Sequence, residues 1–137
     1  PTGVELAGAI AEIAYRTMLR DFRRINPSKT KIFLIEGADY LLPSYPRNLS
    51  VRARRDLEKL GVHVICGRQV TNVTAEGVYL GDELIRAENV IWAAGNQASP
   101  LLKSLDTPLD RQGRVIVEPD LSVPGHPEIF VIGDAAH

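Results

Sequence analysis

The stretch Lys31–Gly37, KIFLIEG, decides the fold. Four apolar or aromatic residues follow one another, and the run closes on a carboxylate and a glycine. Such a run is too short for a buried helix and fits a strand covered on both faces, the habit of parallel sheets. Helical spacing lies on either side of it. Upstream, Ala7, Ile10, Ala11, Ala14, Met18 and Phe22 mark one face of a helix from Gly3 to Arg24. Glu5 sits in its first turn and Arg20, Arg23 and Arg24 at its end, the order the helix dipole favours. Downstream, after the proline-punctuated LLPSYPRN, Leu49, Ala53, Leu57 and Leu60 mark a second helix stopped by Gly61. Val62, Val64 and Cys66 then alternate as another strand. Helix, strand, helix, strand implies an α/β chain with a parallel sheet and crossover helices.

The pattern then changes. Val70–Thr74, Gly77–Leu80 and Glu83–Ala87 are short strand-like pieces joined by turn residues, a small β-meander in place of a crossover helix. NVIWAA, Asn89–Ala94, is expected as a buried strand ending at Gly95, with Trp92 in the core. Beyond it come a polar connection, a strand GRVIVE, a proline-rich loop, and a last strand EIFVIGD that runs into AAH as the start of a helix.

Bulk composition narrows the function. The 137 residues are 45% hydrophobic and 24% charged, ordinary for a globular domain. A net charge of −1 gives no global attraction to nucleic acid. A single cysteine, Cys66, excludes an internal disulfide and a CxxC pair, and reads as a small buried thiol. His63, His126 and His137 have no metal-ligand spacing with one another or with Cys66. No apolar run approaches the roughly 20 residues that span a bilayer. Pro1 at the start, in place of Met, is expected of a slice of a longer protein.

Two features point toward a dinucleotide. Gly3, Ala7 and Ala11 put small residues on one helix face. That spacing suits plain helix packing, and it equally suits the end of a glycine fingerprint whose helix N-terminus receives a pyrophosphate. Glu36, at the close of KIFLIE, is placed where a carboxylate accepts from both hydroxyls of an adenosine ribose. A solvated acid at a strand end is the plainer alternative. No basic residue follows Glu36 before Arg47, and a carboxylate repels a 2′-phosphate, so the ribose reading favours NADH over NADPH.

The blocks PTGVELAGAIAEIA, LIEGADYLLPSYPRNLS, LGVHV, VIWAAGNQASPLL and GRVIVEPDLSVPGHPEIFVIGDAAH together resemble the type II NADH:quinone oxidoreductases, flavoproteins with two dinucleotide-binding domains. The resemblance implies a Rossmann-like parallel sheet with a β-meander crossover and its first strand missing. Residues 1–97 would form the NADH-binding domain and 98–137 a return segment into the FAD-binding domain. It implies a parent enzyme that passes hydride from NADH to FAD and then electrons to quinone. That parent would be bound peripherally at the cytoplasmic face of the membrane, whereas this chain by itself would be soluble. A second copy is a further expected partner.

By the same resemblance Gly3 belongs to the phosphate turn, Glu5 lies near the nicotinamide end and Glu36 holds the ribose. Gly95 marks the passage between the domains, and Gly133 and Asp134 form the second FAD motif. No catalytic side chain and no metal ligand is implied. Sulfide:quinone and ferredoxin or rubredoxin reductases share the scaffold and stay open as relatives, as does a non-catalytic nucleotide-binding module for the chain alone. The place of the missing strand is expected to be filled by EIFVIG of this chain or of a second copy.

Overall fold

The computed structural model describes residues 1–18, 26–95 and 97–137. These form two compact units, Pro1–Ala93 and Ala94–His137. The expected Phe22, Arg20, Arg23 and Arg24, and also Asn96, lie outside the described residues.

In the first unit, helix α1 runs Thr2–Glu12 and continues as a π-helical turn, Ile13–Thr17. The helical spacing therefore holds through Met18, with a π-helical turn interrupting the regular α-helix. Its small-residue stripe is what buries: Ala7 and Ala11 lie in the core, and Gly8 faces Leu57. Strands β1 (Ile32–Glu36) and β2 (Val62–Cys66) pair in parallel, Ile32 opposite Val62 and Glu36 opposite Cys66. Helix α2 (Arg47–Lys59) is the crossover between them. Ala7, Ala11, Leu41, Leu57 and Val62 form the core, with Ile32, Leu34 and Val64 packed against it.

The expected face of α2 holds at Leu57, which is buried, at Leu60, which packs against the core, and at the half-buried Ala53; it fails only at Leu49. Ser50 and Leu57 are buried, and Leu49 is 44% exposed. Positions 50 and 57 are two helical turns apart on one face, and Leu49 falls beside it. Strands β3 (Asn72–Thr74), β4 (Gly77–Leu80) and β5 (Glu83–Arg86) make the antiparallel meander, with Val78 and Leu80 buried. The first piece is shorter than expected, starting at Asn72. Arg68 fastens the end of β2 to the meander: it donates to Leu80 O at 2.7 Å and pairs with Glu83.

NVIWAA is not a strand. β1 and β2 form a two-stranded sheet, and this segment pairs with neither of its open edges. Val90, Ile91 and Trp92 are 41%, 60% and 65% exposed, and Trp92 is not core. Trp92 is the sole tryptophan of the chain, which makes the point directly measurable. Its fluorescence is expected at the wavelength of free tryptophan, with nearly free access to iodide. Trp92→Ala should change unfolding free energy by less than about 0.5 kcal/mol. A blue-shifted, unquenched emission would contradict the exposed segment.

The second unit has its own core of Leu102, Val115, Val123 and Val131. A 3₁₀ helix, Pro100–Leu105, leads in, with Ser99 Oγ accepting from Leu101 N–H. GRVIVE does not form the expected strand. It keeps isolated bridges from Val115 to Leu109 and to Ala136, and Val115 is fully buried. Strand β6 (Ser122–Val123) arises within the proline-rich loop and pairs antiparallel with β7 (His126–Phe130). EIFVIG therefore lies partly in a hairpin and does not extend the β1–β2 sheet. At AAH a short 3₁₀ turn, Gly133–Ala135, takes in Ala135, and Ala136 is extended.

Asp110 organises the loop before Val115. Its Oδ1 accepts from the N–H groups of Gln112 and Arg114, and its Oδ2 accepts from Arg114 Nε at 2.8 Å. Burial pushes this carboxyl upward, but the hydrogen bonds from Arg114 and Gln112 outweigh it and hold the pKa at about 2. A carboxyl lowered in the folded state adds stability that is complete above its unfolded value of 3.8 and lost as pH falls toward 2. Urea unfolding between pH 6 and 2 should show this acid-side loss in the wild type. Asp110→Asn should flatten it, and equal slopes in both would refute it.

Candidate functional site

In the first unit Glu36 lies at the carboxyl end of a parallel strand, where ligands of open α/β sheets bind, and Gly3 and Glu5 lie in the first turn of α1. Helix α1 begins with Pro1 O accepting from the N–H groups of Val4 (2.9 Å) and Glu5 (3.1 Å). The amides of Thr2 and Gly3 have no partner among the described residues. They leave the helix start as a donor pair at the positive end of the dipole. Gly3 packs beside Leu34 and Ala93; a Cβ there would meet Leu34 Cδ1 and Ala93 Cβ at 3.6 Å, ordinary contact. The chain's own packing does not require glycine at position 3, so any requirement must come from close approach of a ligand. Glu5 is exposed in the first turn of α1.

Glu36 ends β1 and is half-buried. Its Oε1 accepts from the Ala38 N–H at 3.0 Å, which aims the carboxylate and leaves Oε2 for other donors. The loop it caps is tied to the loop after β2. Gly67 N–H donates to Ala38 O at 2.8 Å and Arg68 N–H to Glu36 O at 3.4 Å, while Gln69 Cγ lies 3.2 Å from where a Gly37 Cβ would stand. Glu36 is thus positioned by two loops, one of them 30 residues downstream.

Two neighbours of this site, Arg47 and Cys66, were not expected in it, and Cys66 is half-buried and not the fully buried thiol expected. Arg47 starts α2 with its guanidinium 4.0 Å from the centre of the Tyr40 ring, a cation–π contact that occupies the first base after Glu36. Cys66 faces Glu36 in register. Burial pushes its thiol up, more than the Arg54 charge draws it down, so it stays a protonated thiol and not a nucleophile. The Arg47–Tyr40 pairing has a sequence signal, an aromatic and a base bracketing one loop, but their meeting depends on how LLPSYP turns.

The chemistry of the donor set fits a dinucleotide in two places. A fixed carboxylate with a spare oxygen suits a ribose diol, and the open amides of a helix start suit a phosphate.

In the second unit Gly95 and Gly133 take left-handed φ of +77° and +67° with open space where a Cβ would stand. Gly133 turns the chain out of the segment after β7 into its 3₁₀ turn, exposing Asp134 beside it. An exposed carboxylate next to a glycine turn is compatible with the hydroxyls of a flavin ribityl chain. Gly3, Glu5 and Glu36 are gathered in the first unit; Gly95, Gly133 and Asp134 are in the second.

No helix among the described residues is long and apolar enough to cross a membrane.

Comparison with known proteins places this geometry. The chain is 44% identical over 144 residues to type II NADH:quinone oxidoreductase NdhA of Mycobacterium tuberculosis, a match covering 98% of this chain and 31% of that protein. It is 43% identical to type II NADH:quinone oxidoreductase Ndh of the same organism, covering 99% of this chain and 31% of the relative. The chain therefore spans 31% of the length of these relatives. Among solved structures, NDH2 from Plasmodium falciparum in complex with NADH superposes with a TM-score of 0.77 at 23% identity, covering 99% of this chain and 30% of that one, a likeness of fold. The family model for pyridine nucleotide-disulphide oxidoreductases matches residues 1–137. With its parallel β1–β2 pair, crossover helix and meander, the chain belongs to the pyridine nucleotide-disulphide oxidoreductase family.

Proposed function

We propose that this chain supplies the NADH-binding portion of a FAD-dependent NADH dehydrogenase that delivers electrons to quinone. The observation that carries the reading is Glu36, held at the carboxyl end of β1 by Ala38 N–H with one oxygen free. Identity of 44% to a type II NADH:quinone oxidoreductase supports the same reading. Residues 1–97 serve as the NADH domain and 98–137 as the return into the FAD domain. Glu36 accepts the adenosine ribose hydroxyls. The Thr2 and Gly3 amides face the pyrophosphate, with Gly3 letting it come close, and Glu5 borders the nicotinamide end. Gly95 gives the chain its turn between the domains. Asp134 accepts from the ribityl chain, and the turn at Gly133 presents backbone amides.

Hydride transfer is supplied by the cofactors when bound. The protein's part is therefore to bind and orient. The parent protein works against quinone at the cytoplasmic membrane surface, as a peripheral protein able to pair with a second copy.

The test is a fluorescence titration of the 137-residue chain with NADH and NADPH. Saturable binding, tighter for NADH, is the expected result. Equal or tighter binding of NADPH would overturn the ribose assignment. For the activity, a longer chain carrying this segment should oxidise NADH only when quinone is present to accept electrons.

A further inference from the structure

The other end of the β1–β2 pair carries a second, unrelated concavity. An open groove of about 610 Å³ lies where β1 and β2 begin. Five residues of β1 separate it from Glu36, about 15 Å at the usual strand rise. Its rim carries three ammonium groups, Lys29, Lys31 and Lys59, with His63 beside them and no carboxylate among the described residues that line it.

These lysines differ from the other cations of the region. On α2, Arg54 is paired with Glu58, and Arg52 and Arg55 with Asp56; on the π turn Arg16 is paired with Glu12. The nearby carboxylates are therefore committed elsewhere. Lys29, Lys31 and Lys59 have no ion-pair partner among the described residues. They come from two places in the chain: Lys29 and Lys31 from the 3₁₀ turn and the entry to β1, and Lys59 from the end of α2.

The walls are fixed in advance. Tyr15 Oη donates to Thr30 O at 2.6 Å, tying the helical segment to the entry of β1. The Tyr15 ring lies on Gly61, where a Cβ would stand 2.9 Å from Cε2; Gly61 has φ +89°. The His63 ring stacks on Phe33 with centroids 5.1 Å apart. Like charges held together in a concavity with fixed walls repel one another and focus a positive field. An anion relieves both.

We infer that this groove is a binding site for a multivalent phosphate. Lysine ammoniums are compact point charges that donate in any direction, suited to phosphate without demanding a planar fork. Three of them match a multiply charged group, whereas a carboxylate would neutralise only one. The groove uses none of the residues assigned to the dinucleotide, so the two readings stand or fall separately. The phosphate can be a free polyphosphate or the headgroup of an anionic lipid.

The test uses the 137-residue chain with inorganic tripolyphosphate in one arm. The other arm uses phosphatidylcholine vesicles with and without phosphatidic acid. Backbone amide shifts of Gly61 and His63 report site occupancy, and vesicle co-sedimentation reports lipid binding. Saturable shifts at these amides are expected. Affinity should fall at least tenfold in the triple variant Lys29→Gln, Lys31→Gln, Lys59→Gln, and should weaken steeply with added salt. Lys103→Gln and Glu36→Ala should leave it unchanged, and circular dichroism checks that each variant is folded. Lysine-dependent binding of tripolyphosphate alone assigns a free phosphate; lysine-dependent sedimentation with phosphatidic acid assigns a headgroup. No saturable binding in either arm, or binding that the triple variant retains, overturns the site.

Discussion

Glu36→Ala is expected to weaken NADH binding by about 2–3 kcal/mol, roughly 30- to 150-fold in Kd, from the loss of two hydroxyl-to-carboxylate hydrogen bonds. The same change removes a charge that would oppose a 2′-phosphate. NADPH binding should therefore hold or improve, and the ratio of the two affinities should collapse toward one. That double signature separates ribose recognition from a general loss of folding, which would weaken both cofactors alike. Glu36→Gln should fall between, since it keeps an acceptor oxygen without the charge. The Ala38 N–H loses its partner in the alanine variant, so a stability cost of about 1 kcal/mol accompanies the binding effect. Unchanged NADH affinity would return Glu36 to the plainer role of a solvated strand end.

Gly77→Ala should be the most damaging single substitution for the fold. Gly77 opens β4 at φ +140°, and a Cβ there would stand 2.1 Å from Ile85 O, 2.8 Å from Ala87 N and 3.0 Å from the Arg86 Cα. All three obstacles are backbone of β5 or its exit, so no rotamer change relieves them. The Gly77–Arg86 pairing must open, and with it the register that buries Val78 and Leu80. An expected cost of about 3–4 kcal/mol is readable as a large drop in the urea midpoint. Gly81→Ala, one turn later, is the control. Its φ of +66° is strained for alanine, but nothing lies within 4 Å of the added carbon, so about 1 kcal/mol is expected. Similar costs at the two positions would show that backbone strain, not the clash with β5, governs the meander.

Local chemistry made much of this molecule readable. KIFLIE became β1, the alternation at Val62, Val64 and Cys66 became β2, and the turn residues between Thr74 and Glu83 delimited a meander. Each is set by a period and by flanking turn formers. The misreadings share one cause. NVIWAA and GRVIVE have the composition of buried strands, but a strand exists only where it pairs with a neighbour, and burial needs a surface to cover it. Val115 found a core and two bridges; Val90, Ile91 and Trp92 found neither. Leu49 and Ser50 show the same limit on a helix. Leu57 and Leu60 turn α2 toward the core as their spacing predicts, while packing at its first turn puts Ser50 inside and Leu49 outside.

The candidate site divides along the same line. Sequence by itself determined that a carboxylate closes the first strand, that small residues line the opening helix, and that glycine precedes Asp134. Those are consequences of side-chain type and spacing. Only the tertiary structure decided that Ala38 N–H fixes the Glu36 carboxylate and that Arg47 is spent on Tyr40. It also decided that Lys59 shares one groove with Lys29 and Lys31, about 30 residues upstream. The reason is physical: a hydrogen bond or a charge cluster needs atoms within a few ångströms, and for residues far apart in the chain that proximity is created by packing alone.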